Sequence, residues 1–157
     1  RRQRQMCIRD RYLSNELAGT TTGTSTSASA GYKPVATVYG ARLKRLRASV
    51  ALASQTTSDT ILLGNLPAGA TFAYGVINTT ATLGTSTVAI GITGTTGKYR
   101  AAATFTTADT PTLFGTAAQQ ALASPLSAEE SVIATIAVAN LPASGTLVVD
   151  LFYSMPN

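Results

Sequence analysis

The chain has 157 residues, a formal net charge of +5, 45% hydrophobic and only 12% charged residues, one cysteine, and neither histidine nor tryptophan. The lack of histidine removes the commonest general base and metal ligand, and with it Ser-His and Cys-His nucleophile pairs. Thr, Ala, Gly and Ser dominate, and small side chains with little charge favour β-structure over a helical bundle.

Residues 1–11 (Arg1-Arg2-Gln3-Arg4-Gln5-Met6-Cys7-Ile8-Arg9-Asp10-Arg11) resemble a common transposase-type sequencing adapter read as codons. We expect this segment to be adapter-derived, from bulk metagenomic sequencing, and set it aside before reasoning about fold. It holds five of the twelve basic residues and Cys7, so residues 12–157 keep seven basic against six acidic residues. The high isoelectric point then no longer points to nucleic acid or membrane, and no disulfide or Cys-ligated metal is expected. The Arg-rich start is not read as a signal peptide, because only Met6-Cys7-Ile8 precedes the next charges. No window of about eighteen apolar residues predicts a membrane span.

Residues 12–40 are rich in Ser, Thr and Gly and lack an apolar period. Such a segment cannot bury enough surface to offset its ordering entropy. It reads as an extended arm, either without a role or ordering on a neighbouring subunit.

Strand signals recur from residue 42. Leu46, Ala48, Val50 and Leu52 alternate with Arg45, Arg47, Ser49 and Ala51, the period of a half-buried strand. Thr60-Ile61-Leu62-Leu63 is a short strand expected to end at Gly64, and Leu66-Pro67-Ala68-Gly69 is a turn. Residues 71–79 form a strand with Phe72, Tyr74 and Val76 expected on one face, and Ala73 and Ile77 on the other. Val88, Ile90 and Ile92 alternate with Ala89 and Gly91 in a strand over 87–93, and Gly94-Thr95-Thr96-Gly97 is expected to turn the chain. Residues 98–107 read as a weaker strand or ordered loop, residues 112–114 as a short strand, and residues 116–123 have helix-forming composition.

Ser127 and Glu130 match a helix capping box. The run that follows, Ser131 to Val138, is rich in β-branched residues that suit pleated surfaces, so a strand is expected there. Asn140 to Gly145 turns the chain into a final strand over 147–153. Asn65-Leu66-Pro67-Ala68-Gly69 recurs as Asn140-Leu141-Pro142-Ala143-Ser144-Gly145, either because the same turn chemistry arose twice or because two related halves place equivalent corners. Seven or eight short strands with polar turns argue for an all-β antiparallel sandwich or barrel. The expectation is one β-sandwich domain over 41–157, with a jelly roll as one of its forms, preceded by a flexible arm.

Little catalytic chemistry is present. The carboxylates are Glu16, Asp59, Asp109, Glu129, Glu130 and Asp150, and no convincing pair for acid–base work stands out. Glu129 and Glu130 read as a solvated face. Asp59 and Asp109 read as turn or capping residues, and Asp150 as meeting solvent or a basic residue. The glycines of residues 91–97 read as a hairpin loop rather than a phosphate cradle, since no helix follows and no GK[ST] is present. Arg42, Lys44, Arg45 and Arg47 form the one charge cluster. Arg45 and Arg47 are expected on one strand face, with Arg42 and Lys44 nearer the loop. Without interleaved aromatics to stack on bases, a solvated edge or a contact with an acidic neighbouring subunit is preferred over phosphate contact, and edge charge also blocks unwanted pairing.

The stretches Asp59 to Ala70, Leu83 to Gly91, Lys98 to Ala102 and Leu141 to Val149 resemble small structural proteins of tailed-bacteriophage virions, usually head-associated. The resemblance covers about residues 40–153, and its motifs are turns and strands. It implies a sandwich that docks on phage capsid or connector proteins in the virion, a non-enzymatic capsid decoration or other head-associated role, and a homo-oligomer. It implies no catalytic, cofactor or metal residue, no specific nucleic acid and no membrane. The alternative is a carbohydrate- or surface-binding module of a tail fibre or bacterial surface. That reading calls for exposed aromatics, for which Tyr32, Tyr39, Tyr74 and Tyr99 are the candidates.

Overall fold

The computed structural model describes residues 41–122 and 125–155. The adapter-like segment, the arm, Tyr32 and Tyr39 lie outside the described residues. Eight strands form: β1 (Arg42–Ala51), β2 (Thr60–Leu66), β3 (Thr71–Thr79), β4 (Thr87–Ile92), β5 (Thr95–Thr104), β6 (Thr112–Phe114), β7 (Glu130–Ala137) and β8 (Thr146–Met155), with helix α1 (Ala117–Leu122) between β6 and β7.

The strands make two antiparallel four-stranded sheets, ordered β1-β8-β3-β6 and β2-β7-β4-β5. First pairs with last, second with seventh, third with sixth and fourth with fifth, so the chain is one long hairpin rolled over itself. That is the jelly-roll arrangement of an eight-stranded double sheet. The two inner faces share one core, in which Leu66, Ile77, Val88, Ile90, Leu147 and Leu151 are fully buried. Their burial is the main stabilising term.

The two repeated turns are both crossings from the second sheet to the first, β2 to β3 and β7 to β8. Leu66 pairs with Glu130, the start of β7, so the two crossings lie at opposite ends of the sandwich. Each drives a leucine into the core: Leu66 at one end and Leu141 at the other.

Several boundaries and faces differ from the sequence expectations, each for a local reason. β2 does not stop at Gly64 but bulges there and continues to Leu66. Gly64 adopts φ +147°, and a Cβ at that position would come within 2.8 Å of Leu46, so glycine lets β1 and β2 approach. In β3 the register shifts between Phe72 and Tyr74. That bulge puts Phe72 on the inner face together with Ile77, while Tyr74 and Val76 look outward, so the strict alternation expected for residues 71–79 fails. The β4–β5 turn is Thr93-Gly94 rather than Gly94 to Gly97, and β5 starts at Thr95 and ends at Thr104. A Cβ on Gly91 would sit 2.2 Å from the Thr95 carbonyl oxygen, so the bulged start of β5 crosses over Gly91.

The capping-box signature is realised at α1. The Thr116 amide donates to Gln119 Oε1 at 2.9 Å, and the Gln119 amide donates to Thr116 Oγ1 at 3.4 Å. After Ser127-x-x-Glu130 the chain is strand β7, as its β-branched composition indicated.

Candidate functional site

Two strands carry most of the polar side chains singled out in the sequence. β1 is an edge strand of the first sheet, in register with β8: Leu43 faces Ser154, Arg45 faces Phe152, and Arg47 faces Asp150. β8 in turn places Phe152 opposite Tyr74 and Asp150 opposite Val76 of β3, and Val76 lies opposite Leu113 of β6. Directly paired residues share a face. The outer face of the first sheet therefore reads across the strands as Arg45–Phe152–Tyr74 and, one step along, Arg47–Asp150–Val76–Leu113.

The Arg47 guanidinium donates to both Asp150 carboxylate oxygens at 2.7 Å, through Nε and Nη2. Asp150 is buried although it faces outward. The Arg47 hydrogen bonds hold its carboxyl below the ordinary range against the opposing effect of burial, and Arg45 adds a smaller favourable field. Tyr74 and Phe152 stack with ring centroids 4.7 Å apart and planes 22° from parallel.

Two open depressions involve this face, the first at its β6 edge, where the core-side Phe114 joins the outward Tyr74 and Leu113. One, of about 510 Å³, is lined by Tyr74, Leu113, Phe114, Gly115 and Thr116. The other, of about 400 Å³, is lined by Arg47, Val76, Asn78, Pro111, Val148 and Asp150.

The basic cluster is arranged differently from the expectation. Arg42 and Lys44 are inside β1, not beside it, and pair with Met155 and Tyr153. They point opposite to Arg45 and Arg47, so the four cations wrap the β1 edge. Arg42, Lys44 and Arg45 are all exposed, and none has an ion-pair partner among the described residues. No aromatic interleaves with the basic residues along β1, but Arg45 lies beside Phe152 of β8 and, one strand further, Tyr74 of β3, both remote in sequence.

Of the remaining carboxylates, Asp59, Glu129 and Glu130 are held by donors of the chain, while Asp109 is tied by its backbone amide, which donates to the Thr79 carbonyl at 2.8 Å. Asp59 accepts from the Thr56 amide at 2.7 Å and its hydroxyl at 2.9 Å, the capping role expected of it. The Glu129 carboxylate accepts from Asn65 Nδ2 at 2.8 Å. Glu130 is not part of a solvated face. It starts β7, pairs with Lys98, and accepts from the Tyr99 hydroxyl at 2.6 Å. Tyr99 is fully buried against Phe72. Burial first, and the Glu130 carboxylate second, push its phenol well above the ordinary range. Tyr99 is thus no exposed ligand platform, and of the four tyrosine candidates only Tyr74 is partly exposed among the described residues.

Arg100 is also buried. Its guanidinium donates to the carbonyls of Val88, Ala103 and Thr104, filling gaps left by the bulges between β4 and β5. Nothing in the local sequence signalled that role, since β5 lacks a clean apolar alternation.

No protein-family model matches the chain, and no curated protein matches it by sequence. The fold is similar to that of a chain of the cyanophage Pam1 capsid asymmetric unit. That match has 22% identity and a TM-score of 0.64, over 85% of this chain and 99% of the other. It is also similar to a chain of the capsid of Ralstonia phage GP4, with 21% identity and a TM-score of 0.60, over 74% of this chain and 86% of the other. At these identities the likeness is one of fold.

Proposed function

We propose that this chain is a non-enzymatic structural subunit of a phage virion, acting as a capsid decoration or other head-associated protein. It acts by shape, oligomerising and docking on capsid or connector proteins through one of its surfaces. Jelly rolls also serve in lectins and cupins, so the fold alone does not choose among roles. The observation that carries the reading is that these two similar folds come from phage capsids and are matched over 99% and 86% of their length. Each of those chains is shorter than this one, since a smaller share of this chain covers a larger share of it.

The chemistry of the chain supports a non-catalytic role. Four of the five carboxylates among the described residues are held by the chain's own donors. Among the described residues, the carbohydrate-binding alternative retains Tyr74 of its tyrosine candidates, whose ring is stacked on Phe152.

Electron microscopy of the purified full chain, with sequencing of the DNA flanking its gene, tests the reading. Discrete small oligomers, and neighbouring genes for capsid, portal or packaging proteins, are expected. Closed shells formed by this chain alone would make it the shell-forming subunit. Neighbouring genes for cell-surface assembly would contradict the virion role.

A further inference from the structure

We propose that the outer face of the β1-β8-β3-β6 sheet is the docking surface, and that its partner is a protein surface carrying carboxylates beside an apolar ridge. This rests on the virion reading and names the face and chemistry that reading leaves open.

All four sheet edges are closed to strand addition. β1 carries four cations along ten residues, β6 is only three residues long, β2 is bulged at Gly64, and β5 is bulged twice. Charge, shortness and bulges are the devices that keep an edge from pairing with another chain. Docking is therefore left to a face.

The two outer faces differ in kind. On the second sheet, pairing places Thr60, Thr135 and Ala89 in one row and Leu62, Ile133 and Gly91 in the next, without charge. Leu62 is its one large exposed apolar side chain. On the first sheet, Arg45 and the Tyr74–Phe152 stack lie side by side, Leu43 and Leu113 are 53% and 71% exposed, and one depression lies on the face and the other at its β6 edge. Arginine and aromatic anchors beside concavities are what binding hot spots are made of.

Charge selects the partner. Arg47 is neutralised by Asp150 and Lys98 by Glu130. Of the exposed cations in the first half of β1, Arg45 remains unpaired on this face among the described residues, while Arg42 and Lys44 flank it along the same edge strand with their side chains turned to the other side of the sheet. Asp59, just before β2, and Asp109, bonded to the end of β3, lie at the opposite end of the strands. A partner that brings carboxylates to the β1 rim and an apolar ridge onto Tyr74, Val76 and Leu113 complements both features. Duplex DNA offers the anions without the ridge.

Hydroxyl-radical footprinting of the full chain, free and on purified virions that carry it, tests the assignment. Tyr74, Phe152 and Leu113 are expected to lose reactivity severalfold on the particle, while Leu62 and Ile133 keep theirs. Protection of Leu62 and Ile133 instead would overturn the face. Arg45→Glu is expected to weaken retention on particles about tenfold or more and Leu62→Asp to leave it unchanged. Equal retention of both variants, or tight binding of the free protein to a short DNA duplex at physiological salt, would overturn the partner chemistry. Absence of the protein from particles would overturn the virion reading itself, and this assignment with it.

Discussion

Arg47 and Asp150, 103 positions apart in the chain, close the β1–β8 ladder with two parallel hydrogen bonds of 2.7 Å. Such bidentate pairs fix geometry as well as adding charge-assisted bonds. The carboxyl's folded-state pKa lies below its unfolded value, chiefly because Arg47 hydrogen-bonds the charged form. The contribution is therefore complete above the unfolded carboxylate value of about 3.9, and is lost as pH falls through the folded value. Asp150→Asn should be less stable than the parent at pH 7 by urea denaturation, with the difference shrinking below about pH 4. A difference independent of pH would mean that the carboxylate's charge is not what holds β1 to β8.

Tyr99 makes the opposite pH statement. Its phenol is raised by burial and by Glu130, so its contribution is present below the unfolded value of about 10 and is lost as pH rises above it. In a spectroscopic titration of the chain's six tyrosines, one should resist ionisation until alkaline unfolding. Tyr99→Phe should remove that one and lower stability at pH 7 by about 1–2 kcal/mol, because it takes a donor from the Glu130 carboxylate.

Gln120 acts on the bulge in β3. Its side-chain amide donates to the Ala73 carbonyl at 2.5 Å, the residue where the ladder slips. Gln120→Ala leaves that carbonyl without this donor and should cost about 1 kcal/mol. The bulge also aims Tyr74 at Phe152, so the near-ultraviolet circular dichroism of the aromatic stack should weaken in the same variant. A stability change without a change in that signal would separate the helix contact from the aim of Tyr74.

Val138 lies in the β7–β8 crossing with φ +73°, and the Ala139 amide donates to the Ala137 carbonyl across it at 2.9 Å. A β-branched residue in that tight turn is strained, and with 72% of its surface exposed the side chain recovers little by packing. Val138→Gly should raise stability by about 1 kcal/mol; a loss in thermal denaturation would show that the valine contributes contacts that outweigh the strain.

The alternating stretches were readable in advance because one-sided burial imposes a period of two. The alternation from Leu46 fell in β1, which ends at Ala51 just before Leu52, Val88 to Ile92 fell in β4 and the run from Ser131 in β7, and the β-branched composition correctly outweighed the capping box at Ser127. Sequence alone could not show where the ladders slip. At the shift after Phe72, the Ala73 carbonyl accepts from a glutamine nearly fifty positions away, and the start of β5 crosses over Gly91. The candidate surface was legible only in parts. Tyr74 and the basic cluster stood out locally, and Asp150 was expected to meet solvent or a base. Their assembly into one face comes from the β1–β8–β3 register, which brings together residues from both ends of the chain.

The most direct test of the virion assignment is quantitative mass spectrometry of gradient-purified phage particles from the host that produces this chain. A decoration or head-associated subunit should be present in the particle fraction, at many copies per virion for a decoration protein, with peptides from residues 41–155. Recovery of the protein only from the cell-envelope or soluble fraction, with none on particles, would contradict the assignment.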